Sequence, residues 1–272
     1  IDNSELQNIT AGNLNIGDEL NGHIRVKNVQ TVDVANIAKL TLNATKAGKS
    51  VTFQGAASNL NDLTVNASND VKVKKGLTAK ETSLNAGDDV KLKGNLNFDS
   101  LNANAGDDIH AHGTLTVTSD GNLNAGDDIH LHGDNSFGTL NVSAVDDIKV
   151  HEALTVAGNT FMTAGDDIDM RGTFNLGDWA AVASDDIKLR GDFNVSAADL
   201  KANDEIKIEK AEINSGNFSA EADFDNNGAG AFKLDKKSSI TSSDDIDLSG
   251  YKLKIKGSLT AAGTLTLTDK SE

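Results

Sequence analysis

The stretch that decides the fold is Leu101-Asn102-Ala103-Asn104-Ala105-Gly106-Asp107-Asp108-Ile109-His110-Ala111-His112-Gly113. Apolar residues occupy every second position on both sides of its Gly-Asp-Asp turn, which is the period of a β-strand. The block recurs along the chain, and its apolar anchors are spaced by 19 or 20 residues: Val51, Val71, Val90, Ile109, Ile129, Ile148, Ile168, Ile187 and Ile206. A period of this length predicts a solenoid in which each repeat is one coil.

Each repeat contains three short alternating segments separated by tight corners, as in Ile109–Ala111, Leu115–Val117 and Leu123–Ala125. Glycine follows the first segment at Gly94 and Gly113, where a corner favours a residue without a side chain. A single coil has no core, so successive coils must stack to bury their inward side chains. We therefore predict an all-β parallel β-helix with three short strands per coil of 19–20 residues.

Composition agrees with this fold, because the 272 residues include no proline and only 4% are aromatic. A proline would delete a hydrogen bond of a strand that pairs on both sides. Alanine recurs at the inward corner position before the Asp pairs. Stacking of the coils predicts room there only for a methyl group. The predicted alanine column is Ala47, Ala67, Ala86, Ala105, Ala125, Ala144, Ala164, Ala183, Ala202 and Ala222.

The repeat pattern divides the chain into four parts. Residues 1–40 are predicted to form degenerate first coils, residues 41–222 regular β-helix repeats, residues 223–231 an inserted loop and residues 232–272 the final coils. After the loop, Phe232 and Leu234 are expected in the second-strand register, and Ile246 is expected at the next anchor position. Neither end of the chain shows an obvious helix or cap pattern.

Charge and cysteine content exclude several classes of protein. The net charge of −16 repels polyanions, so any polyanion site must be local, and the absence of cysteine excludes a disulfide-stapled module. No stretch reaches the length of a membrane span, and the first residues lack a signal-peptide pattern. Phosphate-loop, nucleophile-elbow and His-Glu-x-x-His motifs do not occur, so we expect neither an enzyme nor a cofactor.

The units of form Leu-x-Ala-x-Ala-Gly-Asp-Asp-Ile, complete at 101–109 and degenerate in later coils, resemble the haemagglutinin-type repeats of filamentous-haemagglutinin-like exoproteins. These are adhesins and contact-dependent inhibition proteins that Gram-negative bacteria export by two-partner secretion. The resemblance extends over residues 40–268. It implies a right-handed β-helix, a location outside the cell on the bacterial surface, and an outer-membrane two-partner secretion transporter as partner of the parent chain.

The function expected from this resemblance is that of a non-enzymatic rod and contact surface in adhesion. Its partner would be a receptor or glycan on a host or bacterial cell, with no nucleic-acid binding and no membrane insertion. The alternative is the stalk of a contact-dependent inhibition protein that delivers a toxin. A β-helix polysaccharide lyase or hydrolase ranks lower, because such sites lie in grooves walled by long loops, whereas these corners are short.

Outward positions beside the anchors form charged columns. One column is acidic, and its charges repel because they recur about 4.8 Å apart from coil to coil. The neighbouring columns are mainly basic, which favours charge balance between the columns. The competing hypothesis is a glycan or polyanion stripe formed by Lys72, Lys74, Lys91, Lys93, Lys149, Arg171, Lys188 and Arg190.

Histidines replace lysine in two successive coils, and they form a candidate metal site of His110, His112, His130 and His132. The plainer hypothesis is that they only take the place of lysine in the charged columns. Calcium binding by the Asp pairs is disfavoured, because the nine-residue repeat of calcium-binding β-rolls is absent. The first aspartates of the pairs, such as Asp88, Asp107 and Asp127, are expected to cap backbone N–H groups at the corners. Asn-x-Ser/Thr sequences, including those at Asn66 and Asn194, are the acceptor pattern of N-glycosylation.

Overall fold

The computed structural model describes residues 1–271, and the chain forms two compact units, residues 1–138 and residues 139 onward. Both units consist of short parallel strands stacked coil on coil. In the described residues the helices are four residues long, and none could cross a membrane.

The first unit contains α-helix α1 and one 3-10 helix among its strands. The helices are α1 Asn3–Leu6 and the 3-10 helix Thr31–Val34. The strands are β1 Ala11–Ile16, β2 Ile24–Lys27, β3 Ile37–Ala44, β4 Val51–Gln54, β5 Ser58–Asn59, β6 Asp62–Ala67, β7 Val71–Val73, β8 Gly76–Ala86, β9 Val90–Lys93, β10 Asn95–Ala105, β11 Ile109–His112, β12 Leu115–Ala125 and the first part of β13 Ile129–Ala144.

Strands of the first unit pair in parallel with the equivalent strands of neighbouring coils. Strands β3, β6, β8, β10 and β12 form one such ladder, and β4, β7, β9, β11 and β13 form another. The anchors predicted from the sequence are fully buried, with 0% exposure at Val71, Val90 and Ile109. Their burial reflects the alternation of the strand, which sends every second side chain into the core.

The alanine column is present, but its first member differs from the prediction. In the first unit Ala44, Ala67, Ala86, Ala105 and Ala125 align in register. Ala47 is exposed in the turn after β3 and does not belong to the column. The turn at 45–50 is longer than the later Asp-Asp corners, so counting back from the repeat block selects the wrong alanine.

A short cap, which the sequence pattern did not predict, begins the first unit. Helix α1 starts with a capping box, in which the Asp2 side chain accepts the Ser4 N–H and the Glu5 side chain accepts the Asp2 N–H. Leu6 on this helix is only 1% exposed. One helical turn is too short for the i, i+3, i+4 pattern to be recognised.

In its described residues, 139–271, the second unit contains only strands and their corners. It begins in β13 and continues with β14 Ile148–Val156, β15 Thr160–Ala164, β16 Ile168–Ala183, β17 Ile187–Ala202, β18 Glu205–Ala222, β19 Ala231–Leu234, β20 Ser239–Ser242, β21 Ile246–Gly250, β22 Lys252–Ile255, β23 Ser258–Ala261 and β24 Leu265–Asp269. Strands of 16 to 18 residues in this unit run continuously around corners, as β16 does through Gly172.

Pairing in the second unit shows three strands per coil. The long strand β18 pairs in turn with β19, β20 and β21, and these three then pair with β22, β23 and β24. All of these pairs are parallel. The predicted fold class, an all-β right-handed parallel β-helix, is therefore confirmed.

The register after Ala222 differs from the prediction. Phe232 pairs with Ile206 and lies in the first-strand position, whereas Ile246 pairs with Phe218 in the third-strand position. The segment between β18 and β19 is an addition to the coil that leaves all three strands in place. Asp244-Asp245-Ile246 imitates the repeat block locally, but inter-strand pairing rather than local sequence sets the register.

Aromatic packing fills part of the second core. Trp179 is 2% exposed and stacks on Phe193 at 5.9 Å, and Phe193 stacks on Phe174 at 4.6 Å between ring centroids. In the adjacent coils Trp179 aligns with the small residues Thr160 and Ala198, which leave space for the indole. Trp179 is therefore a core residue.

Candidate functional site

The candidate site in each unit is its charged face, which we define as the outward residues of the first strand of each coil together with the aspartate that precedes that strand. The acidic column of the first unit consists of Asp70, Asp89, Asp108 and Asp128, and that of the second unit consists of Asp147, Asp167 and Asp186. Apart from Asp70, which follows Asn69, these are the second aspartates of the Asp pairs.

Five aspartates of the acidic column, namely Asp89, Asp108, Asp147, Asp167 and Asp186, each connect two coils. In each of them, Oδ1 accepts the backbone N–H of the equivalent position one coil later, with N···O distances of 3.1 Å from Asp128 to Asp108 and 3.0 Å from Asp186 to Asp167. The same contact joins Asp108 to Asp89, Asp167 to Asp147, and Glu205 to Asp186. The prediction that the first aspartates make the corner caps is therefore wrong for these contacts, because the second carboxylate is the one beside the next coil's N–H.

The other carboxylate oxygen, Oδ2, of aspartates in the acidic column contacts lysines of the predicted basic stripe. Lys149 Nζ lies 2.7 Å from Asp147, and Lys188 Nζ lies 2.9 Å from Asp167 and 3.1 Å from Asp186. Two carboxylates raise the pKa of Lys188 above its ordinary value, despite the opposing effect of burial. Burial raises the pKa of Asp70, but hydrogen bonds from Lys72 and Asn69 outweigh it, so the pKa lies below its ordinary value.

The first aspartates of the pairs are in a different electrostatic environment. The pKa of Asp185 is raised by desolvation and then by the nearby carboxylates, of which Asp186 and Asp167 have the largest effects. Asp88 and Asp166 show the same direction for the same reasons. Asp166, Asp167 and Asp185 each place an oxygen within 4.8 Å of the others. Several carboxylates of like charge are therefore close together at these corners.

Most members of the predicted basic stripe are paired with acids. Lys72 and Lys91 contact Asp70 and Asp89 of their own coils. Arg171 Nη2 lies 3.7 Å from Asp169, and Arg190 contacts both Asp169 and Glu209. Within residues 1–271, Lys74 and Lys93 form no ion pair. This arrangement favours charge balance as the main role of the stripe, and polyanion binding stays a prediction.

The four predicted metal-site histidines lie together on β11 and β13. His110 is in register with His130, and His112 with His132. Ring centroids are 5.0 Å apart in both cross-strand pairs, and 6.1 and 6.2 Å apart along the strands. We call His110 and His130 the inner pair. Both contact the acidic column, with His110 Nε2 3.2 Å from Asp108 and His130 Nε2 3.4 Å from Asp128.

The outer pair, His112 and His132, has a more basic neighbour. Lys93 is in register with His112 on the adjacent strand. The pKa of His112 is lowered, first by burial and then by His132, Lys93 and His110, so its imidazole is favoured in the neutral form. Neutral imidazole is the form that binds metal ions.

An asparagine ladder was not anticipated from the sequence. In the first unit each side-chain amide donates to the preceding coil, with 2.8 Å from Asn66 to Asn43, 2.9 Å from Asn85 to Asn66 and 2.9 Å from Asn104 to Asn85. In the second unit Asn194 donates to Asn175 at 3.3 Å. Asn66 and Asn194 therefore use in the ladder the same amide nitrogen that glycosylation would modify.

A basic cleft in the second unit was also missed. We define it as the cleft lined by Lys207, Lys233, Lys254 and Lys256, with Ile208, Leu234 and Asp235. Lys207, Lys233 and Lys254 are in register on successive coils. The first two pair with Glu209 and Glu205. The repeat pattern hid this alignment, because the added residues between β18 and β19 break the 19–20 residue spacing.

Comparison with known proteins gives one match. Residues 79–142 match a family described as repeats of unknown function (DUF5649). This segment includes all four clustered histidines, and the description names no activity. Neither the comparison with curated proteins nor that with solved structures found a match.

Proposed function

We propose that this chain is a non-enzymatic β-solenoid segment of a secreted, filamentous-haemagglutinin-like bacterial surface protein, and that it acts as a spacer and contact surface in adhesion. The observation that carries the proposal is that carboxylates of the charged face already bond to other groups of this chain, in their own coil or the next. These carboxylates accept backbone N–H groups and pair with lysine or arginine, and the same contacts recur from coil to coil. A catalytic centre instead needs one unique set of groups that differs from its surroundings.

A contact role requires charged side chains that are not already engaged in ion pairs within the chain. Lys254 and Lys256 of the basic cleft are exposed and form no ion pair within the described residues. They place positive charge on a chain of net charge −16. Such a local patch suits an acidic group on a cell-surface glycan or receptor, whereas a long nucleic acid would meet the repulsion of the whole chain.

Binding of the labelled chain to animal epithelial cells, measured by flow cytometry, tests the proposal. We expect saturable binding that unlabelled chain competes. Lys254→Glu/Lys256→Glu should lower it, whereas Lys39→Glu/Lys46→Glu, an equal change of net charge at exposed sites in the first unit, should not. Equal effects of the two variants would contradict a contact role for the basic cleft.

Two other outcomes would replace the proposal. Binding to bacterial cells alone would favour the stalk of a contact-dependent inhibition protein. Release of reducing ends from acidic polysaccharides would favour a β-helix lyase or hydrolase. No binding to either cell type and no polysaccharide cleavage would contradict an adhesive role for this segment.

A further inference from the structure

We propose that the outer histidine pair, His112 and His132, is a two-ligand site for a borderline transition-metal ion such as Zn²⁺, Ni²⁺ or Cu²⁺, completed by water. The two residues are directly in register on parallel strands β11 and β13 of the first unit. Their ring centroids are 5.0 Å apart. This inference goes beyond the proposed function and does not depend on it.

The distance between the two rings matches shared coordination. With metal–nitrogen bonds of about 2.0–2.1 Å and tetrahedral angles, the centroids of two imidazoles on one metal lie about 5 Å apart. The rings are now nearly parallel, with 11° between their planes. Rotation about histidine χ2, a broad torsion, turns a nitrogen of each ring toward a common point without moving the strands.

The spacing also excludes one metal held by all four rings. The centroids outline a quadrilateral with sides of 5.0 and about 6.1 Å, so its centre lies about 4 Å from each ring. A shared metal requires a centroid distance of about 3.2 Å. Bringing four rings that close would require the strands themselves to move, whereas a cross-strand pair fits the existing backbone.

Existing contacts select the outer pair over the inner pair. His110 and His130 already direct Nε2 toward Asp108 and Asp128, so a metal on the inner pair would have to displace these contacts. Within residues 1–271, His112 forms no ion pair with a carboxylate. Imidazole nitrogen suits zinc, nickel and copper.

One neighbouring group opposes the metal. Lys93 lies in register with His112 and carries a positive charge beside the site. Removing that charge should strengthen metal binding, while a purely structural histidine pair would give no such response. Lys93→Gln is therefore a variant with an expected gain.

Isothermal titration of the whole chain with Zn²⁺ at pH 7.5 tests the assignment. We expect one site, at least tenfold weaker binding in His112→Ala/His132→Ala, and binding within threefold of the unmodified chain in the matched pair His110→Ala/His130→Ala. Lys93→Gln should tighten binding. All five side chains lie on the outward face, so we expect the variants to fold. Circular dichroism melting checks that each variant is folded.

Several results would overturn the assignment. These are no Zn²⁺ binding by the unmodified chain, unchanged binding in His112→Ala/His132→Ala, or equal loss in both double variants, which would mean that all four rings are required. Electron paramagnetic resonance of the Cu²⁺-loaded chain gives a separate count. Two coordinated imidazole nitrogens are expected, and four would contradict the proposal.

Discussion

At the scale of single residues, the adjacent aspartates Asp185 and Asp186 have different surroundings. Asp186 accepts the Glu205 N–H at 2.9 Å, and its other oxygen lies 3.1 Å from Lys188 Nζ. The adjacent Asp185 is exposed, and its pKa is raised by desolvation and by the surrounding carboxylates. Identical neighbours in the sequence are therefore a coil-to-coil cap and a site of repulsion.

Asp185→Asn should raise the melting temperature at pH 7, whereas Asp186→Asn should lower stability by about 1 kcal/mol through loss of a charged acceptor. Because the pKa of Asp185 is raised on folding, ionisation of its carboxylate disfavours the folded state at pH values above this raised pKa. As the pH falls through that value toward the ordinary 3.8, the advantage of asparagine should disappear. Thermal melts at pH 7 and pH 3.5 check this, and a stabilised Asp186→Asn would contradict it.

At the scale of elements, identical small residues set the corners between strands. Ala125 is 8% exposed and aligns with Ala105 one coil earlier, and the two following residues, Gly126 and Gly106, are so close that a Cβ on Gly126 would lie 2.0 Å from the Gly106 carbonyl oxygen. The corner therefore cannot widen to accept a larger inward side chain. Outward positions on the same strand have no such limit.

Ala125→Leu should destabilise the protein by about 1–3 kcal/mol, because it overpacks this corner. Thr116→Leu on the same strand is the matched control, since Thr116 points outward and is half-buried. We expect a change within about 0.5 kcal/mol for the control. Urea denaturation measures both, and equal free energies of unfolding for the two variants would show that the assigned corner is wrong.

At the scale of the whole molecule, the first and last elements of the chain are protected to different extents. Leu6 of α1 is 1% exposed, whereas Leu265 and Leu267 of β24 are 44% and 47% exposed. Within residues 1–271, β22, β23 and β24 each pair with one strand only, while β16 and β17 pair on both sides.

Amide hydrogen exchange should therefore be fastest in β22–β24 among the strands of the second unit and slowest in β16–β18. Strands with one pairing partner and exposed apolar side chains open at lower free energy than strands that pair along both edges. Exchange measured by mass spectrometry on peptides from 252–269 and 187–222 compares the two. Equal protection would mean that the last coil is covered in solution, for instance by a second copy.

The sequence alone determined the coil and its strands. A period of 19–20 residues, strict alternation around the Asp pairs and the absence of proline predict stacked parallel coils, and the nine predicted anchors, from Val51 to Ile206, are all buried. Alternation is a local property, because it requires only that every second side chain be apolar. The sequence also placed the four histidines on one face, because two equal coils bring equivalent positions side by side.

Only the tertiary structure decided which partners meet. It assigned the inter-coil cap to the second aspartate, began the alanine column at Ala44 and put Phe232 in the first-strand register. It also separated the inner histidines, held by aspartates, from the outer pair. The asparagine ladder had a visible signal, since Asn85, Asn104 and Asn124 recur one residue before an alanine of the column. Pairing joins residues 19 to 28 positions apart, so the length of every intervening corner must be known before the register is fixed, and irregular corners conceal that length.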